Sequence, residues 1–177
     1  MMEHTNPKSS LFKTLDKGNK ISLLRELYLS DSKRKFPSVP DFARSVATYS
    51  DKTANGLTKC IIDFIRFKGG QVERINCTGR VIDNRKTSTD IIGNQRTIGS
   101  LQYIKTAGQR GTADISATIK GRSVKIEVKI GADKQSEAQR QYQRSIEESG
   151  GLYIIAKNFN QFYTWYILTF GGENYGR

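Results

Sequence analysis

A small α/β fold, with a mixed sheet carrying helices on both faces, is predicted by three stretches of this 177-residue chain. The first is 112–129, two alternating runs separated by Lys120-Gly121-Arg122, which reads as a β-hairpin. The second is a helical pattern over 134–149, then Gly150-Gly151 and the apolar run Leu152-Tyr153-Ile154-Ile155-Ala156. Such a run marks a strand buried on both faces, and a connection of this length from the hairpin implies a parallel crossover. The third is a helix from Asp51 or Thr53 to about Lys68. Its broad apolar face is Leu57, Cys60, Ile61, Phe64, Ile65 and Phe67, and Gly69-Gly70 stops it.

The other elements follow from the N-terminus. Residues 1–19 are polar and lysine-rich and are expected to be a disordered or frayed arm. Ile21, Leu24, Leu27 and Tyr28 stand at helical spacing over 20–30. Lys33-Arg34-Lys35 reads as a basic linker, and Asp41 as the cap of a second short helix with Phe42, Val46 and Tyr49 inward. Residues 1–50 are thus an N-terminal extension, and 51–177 the main domain. Residues 71–82 read as the first strand of the sheet and 101–105 as a short one. Between them, 83–100 is rich in loop residues; a long insertion of this kind in a compact domain is functional or disordered. It is expected to grip nucleic acid as a loop or hairpin, with Arg85, Lys86 and Arg96 on phosphates. Lys105 and Arg110, leading into the hairpin, suit the same contacts. On the 134–149 helix Ala138, Tyr142 and Ile146 form the packed stripe. Phe159, Phe162, Tyr163, Trp165, Tyr166 and Phe170 point to a terminal helix packed on the sheet, in preference to base stacking.

Lysine and arginine number 29 against 17 acidic residues, a formal charge of +12. A surplus of this size favours a polyanionic partner, most commonly nucleic acid. No apolar run is long enough to span a membrane and no signal-peptide pattern opens the chain, so a cytoplasmic protein is expected. Cys60 and Cys77 lack metal-type spacing and read as reduced thiols. His4 is the sole histidine, in a polar terminus, which argues against histidine acid–base catalysis.

The hairpin's register carries the chemistry. A two-residue loop, Lys120-Gly121, sets Ile119 opposite Arg122 and, counting back, Asp114 opposite Glu127. A four-residue loop gives the same pairing, and a three-residue loop would put Asp114 opposite Val128, on the wrong face. Two carboxylates directly across an antiparallel pair repel at roughly 4.5–5.5 Å between Cβ atoms. A divalent cation bound by hard oxygens removes that repulsion. Lys129 lies on the same face as Glu127. Two carboxylates, Mg²⁺ or Mn²⁺ and a lysine suit phosphodiester hydrolysis, in which the lysine orients water or offsets developing charge. Taken alone, the same three residues also read as a surface strand pair with a salt bridge.

An Asp, a short hairpin and Glu-x-Lys resemble the core of the PD-(D/E)xK nucleases. The surrounding residues resemble their virus-type replication-repair branch, VRR-NUC. The features are the Gly-x-x-Asp-Ile start, the Gly-Arg turn, Ile126-Glu127-Val128-Lys129, Asp133-Lys134-x-Ser136-x-x-Gln139 and Gly150-Gly151, within similarity running from about Asn55 to Phe162. Ala113 stands where the family name expects proline. The resemblance implies a restriction-endonuclease-like core and a Mg²⁺-dependent endonuclease, with Mn²⁺ as a substitute. Asp114, Glu127 and the Val128 carbonyl would hold the metal, Lys129 would act at the water or the developing charge, and Gln139 would support the site. A capping box, Ser136-x-x-Gln139, accounts for Gln139 equally well. The first helix of such nucleases often supplies another acid. Asn55 stands there instead, where it could equally bond backbone, and Asp63 and Glu73 are other candidates. The resemblance further implies structure-selective cutting of branched or junction DNA in replication, repair or recombination, by a homodimer and often a phage-encoded one. The competing classes are a non-catalytic nucleic-acid-binding protein and a sequence-specific, restriction-type nuclease.

Overall fold

Alternation of buried and open residues along 115–128 sets the plane of the main sheet. The structure, a computed structural model, describes residues 20–75, 79–104 and 108–171. In chain order these form α1 (Ile21–Lys35), a 3₁₀ turn (Asp41–Ala43), α2 (Ala54–Phe67), β1 (Gln71–Arg74), β2 (Arg80–Asp83), β3 (Lys86–Thr89), β4 (Gln95–Ile98), β5 (Leu101–Ile104), β6 (Ile115–Ile119), β7 (Arg122–Val128), α3 (Glu137–Glu148), β8 (Leu152–Ala156) and α4 (Phe159–Phe170). The fold is α/β. The main sheet has the order β1-β6-β7-β8, antiparallel except for the parallel β7–β8 pair that the α3 crossover requires.

One face of this sheet is the core. Val72, Ile115, Ala117, Ile119, Val124, Ile126, Val128, Ile154 and Ala156 are buried in one cluster with residues of α2 and α4. Phe64 of α2 is at its centre, edge-on to the rings of Phe159, Phe162, Tyr163 and Tyr166 at 5.0–6.1 Å. The α4 aromatics are therefore core residues, as their spacing predicts. Thr53 caps α2 by accepting from Gly56 N, and Asn158 caps α4 by accepting from Gln161 N. Helix α3 lies on the opposite face, where Tyr142 meets the Tyr153 ring of β8.

The first fifty residues depart from expectation in detail. Lys33, Arg34 and Lys35 are the last turn of α1 and not a linker. Cations are favoured at a helix C-terminus, and Arg34 and Lys35 both pair with Asp31. No second α-helix forms after Asp41: a single 3₁₀ turn leaves Phe42 and Val46 exposed, and of that trio only Tyr49 is buried. Ile21, Leu24 and Tyr49 enter the core cluster of the main sheet. Residues 1–19, with His4, and Cys77 lie outside the described residues. No helix among the described residues is long and apolar enough to cross a membrane.

The stretch 71–82 is two strands of different sheets, not one. β1 ends at Arg74, and β2 starts a separate ribbon with β5, extended by β3 with β4. Arg80 pairs with Ile104 and Asp83 with Leu101, and the same register runs on from Lys86–Ile98 to Thr89–Gln95. Residues 80–104 are thus one long hairpin, whose outer part is the hairpin form of the loop or hairpin expected over 83–100. Gly99, at φ +110°, is required at its middle, because a Cβ there would lie 2.4 Å from Asn84 O. Its residues are exposed apart from half-buried Ile82. Threonine and isoleucine give these strands their β propensity, but the burial pattern that flags a strand in sequence is missing.

Candidate active site

The β6–β7 turn has two residues, Lys120 at φ +47° and Gly121 at φ +76°, the left-handed pair of a type I′ hairpin. Pairing runs from Ile119–Arg122 to Ile115–Ile126. One further step brings Asp114 level with Glu127, both on the face turned away from the core. Asp114 Oδ2 accepts from Val128 N at 2.9 Å, which fixes the carboxylate against the end of β7.

Glu127 is 1 % exposed. Its Oε1 accepts from Gln139 Nε2 at 2.5 Å and is 3.0 Å from Lys129 Nζ. Its Oε2 is buried with no hydrogen-bond partner. Lys129 is also buried, and its ammonium is 3.4 Å from Asp133 Oδ2 on the other side. Burial pushes the Glu127 carboxyl above its ordinary range, Lys129 opposes this, and the Asp114 charge adds to it; the net direction is up. For Lys129 burial alone would lower the ammonium, but Glu127 and then Asp133 outweigh it and the net direction is again up. Tyr153, beside Lys125 across β7–β8, is pushed up to about 12 by burial and then by Glu127.

Gln139 does both things its sequence allows. Its Oε1 accepts from Ser136 N at 2.9 Å while Ser136 Oγ accepts from Gln139 N, a complete capping box. The same amide's NH₂ then reaches Glu127, so the start of α3 is tied to the acid. Gly111 lets the helix come this close. A Cβ there would lie 2.3 Å from Ala138 O and 2.8 Å from Gln139 N, at φ +81°.

The structure therefore brings Asp114, Glu127, Val128, Lys129 and Gln139 together. It does not bring in Asn55, whose Oδ1 accepts from Arg74 on the α2 side of the sheet. Asp63 is likewise engaged there, by the Tyr49 hydroxyl. Of the candidate fourth acids, only Glu73 shares the face of Glu127, one row away opposite Ser116. Asp133 is the residue sequence reasoning missed as a site member. The signal was its place four residues after Lys129, on a turn closed by Asp133 N to Ile130 O at 3.1 Å. Of the basic residues, Lys86 and Arg96 are exposed on the ribbon, and Arg110 is exposed beside the start of α3. Arg85 is exposed too, but a two-point bond to Asp83 at 2.8–2.9 Å holds it. Lys105 lies outside the described residues.

The donor set fits a divalent cation. An unpartnered buried carboxylate oxygen on Glu127, with Asp114 beside it, offers hard oxygens on the side of Glu127 away from Lys129's bond to Oε1. Among the described residues no group of three or more His, Cys, Asp or Glu side chains stands ready to hold a metal, so two carboxylates would need main-chain or water oxygens to complete the shell. No family model matches the chain, and no curated protein matches it.

Proposed function

We propose that this chain is a divalent-metal-dependent nuclease that hydrolyses DNA phosphodiester bonds, of the VRR-NUC type and selective for branched or junction DNA. The observation that carries the reading is Glu127. Lys129 and Gln139 engage only its Oε1, and a buried second oxygen with a second acid beside it is costly unless a further partner joins it, which a divalent cation would be. Asp114, Glu127 and the Val128 carbonyl would hold Mg²⁺ or Mn²⁺, which when bound polarises the phosphate and acidifies water. Gln139 fixes the Glu127 carboxylate from α3. Lys129, held between Glu127 and Asp133, presents a fixed positive charge to the scissile phosphate or orients the attacking water. Lys86, Arg96 and Arg110 hold the DNA backbone, and the +12 charge draws it in. Structure selectivity and a homodimer come from the family resemblance.

The test is a panel of branched, flapped, nicked, single-stranded and linear DNAs with each metal, with sedimentation to read the oligomer. Metal-dependent cutting of branched DNA is expected. Sequence-dependent cutting of linear duplex would favour a restriction-type enzyme, and binding without cutting a non-catalytic binder.

Metal and pH should act together on stability. A carboxyl whose folded pKa lies above its unfolded value holds its proton better in the native state. Its stabilising contribution is full below the unfolded value, about 4.3, and is lost as pH rises through the folded one. Without divalent cation, the stability of wild type relative to Glu127→Gln should therefore fall as pH rises. Saturating Mg²⁺ at about 100 times its Kd should add about 2.7 kcal/mol to wild type at neutral pH, raising Tm by roughly 5–10 °C. Thermal unfolding of wild type, Asp114→Asn and Glu127→Gln with and without Mg²⁺ checks this; an equal rise in all three would place the cation elsewhere.

A further inference from the structure

The 80–104 ribbon ends in two of the three most exposed large apolar residues among the described residues. Ile91 and Ile92, at 107 % and 82 % exposure, sit side by side at its tip. Loop tips ordinarily carry polar turn residues, and contiguous exposed apolar side chains mark a contact. The tip is also built. Asp90 N donates to Asn94 O at 2.9 Å and Gly93 N to Asp90 O at 3.0 Å. Asp90 Oδ1 accepts from the backbone of Ile92 and Asn94 at 3.0 and 2.8 Å, and Oδ2 from the Asn94 amide at 3.2 Å. The tip's one acid is thus occupied by N–H donors, and the two isoleucines stay outside. Behind them, Lys86 and Arg96 share one face of the shaft.

We propose that this tip is a DNA wedge: Ile91 and Ile92 enter between neighbouring base pairs and unstack them, while Lys86 and Arg96 hold the flanking phosphates. The inference rests on the nuclease reading and adds the distortion by which the DNA would be engaged. Charge complementarity selects DNA as the occupant. The cations stand on the wedge itself, on a chain of charge +12. The shaft exposes Val81, Ile98, Leu101 and Tyr103 as well, but Ile91 and Ile92 alone stand at the tip, and one or two apolar residues suffice to wedge a base step. The position fits as well. The chain leaves β1 through Ile75, whose N donates to Asp114 O at 2.8 Å, and returns by Gly111 to Asp114. Both ends of the ribbon thus join the sheet at the end that carries the acids. Its strands span about 30 Å, close to one turn of B-DNA.

The full-length chain, in EDTA so that nothing is cut, is titrated into duplex and branched DNAs carrying a fluorescent aminopurine at successive positions. Wild type should raise the fluorescence several-fold at one step. Ile91→Ser/Ile92→Ser should abolish that rise yet keep affinity within about tenfold, because phosphate contacts dominate binding. Lys86→Ala/Arg96→Ala should weaken binding and flatten its salt dependence. An equal rise from the serine variant, no rise at any position with wild type, or a serine variant that turns a dimer into a monomer would each overturn the wedge, the last by showing a protein contact. Cleavage of the same DNAs after adding Mg²⁺ reads the nuclease proposal separately.

Discussion

Lys129→Ala is expected to abolish metal-dependent DNA cleavage and to lower stability at once. The loss of a charge held at the reacting phosphate should cost roughly 10²–10³-fold in rate. Asp114→Asn should cost at least as much by removing a metal oxygen, with DNA binding retained in both. The stability effect has its own cause. Lys129 and Glu127 are both buried, at 8 % and 1 % exposure, and removing one partner of a buried pair costs about 3–5 kcal/mol. With the amine gone, burial and Asp114 raise the Glu127 carboxyl unopposed, so it takes up a proton closer to neutral pH. The double change Glu127→Gln/Lys129→Met separates the two roles. It replaces the charged pair by neutral groups of similar shape, so stability should recover while activity does not. Single-turnover cleavage and urea unfolding read the two effects. Full activity in Lys129→Ala would reduce these residues to a structural ion pair.

Phe64→Ala should cause the largest loss of stability of any single truncation in the core. Phe64 is fully buried and is edge-on to four rings of α4, so no small shift refills its volume. A cavity of this kind costs about 3–5 kcal/mol. For a chain of this size that lowers Tm by roughly 6–20 °C. Total stabilities of about 5–15 kcal/mol leave little in reserve, and the sheet that presents Glu127 rests on this cluster. Thermal and urea unfolding measure it; a loss below about 1 kcal/mol would mean that α2 and α4 do not pack as described.

The hairpin and the level of Asp114 with Glu127, given a two- or four-residue loop, were legible in the sequence from the strand period of two, and the structure chose the two-residue I′ turn. The capping box of α3, the crossover to β8 and the aromatic core of α4 follow from local pattern in the same way. The full extent of the ribbon at 80–104 and its separation from the main sheet were hidden, because an exposed two-stranded arm has no buried face to write an alternation into its residues. The fate of Asn55 was hidden too: an N-terminal helix residue announces that it will bond something, but only the packing of α2 beside β1 made that partner Arg74.

By itself, then, the sequence determined α2, the β6–β7 hairpin, α3, β8 and α4, the face the hairpin strands turn to the core and which two acids share a row, since all of these are set within a few residues along the chain. Only the tertiary structure decided that α3 would reach back to Glu127, that Asp133 would flank Lys129 and that one oxygen of Glu127 would be buried without a side-chain or main-chain partner. The first and last depend on how α3 packs against the sheet, closed by a Gly111 contact that no local period records; the Asp133 pair depends on the turn after β7, which no strand or helix period announces.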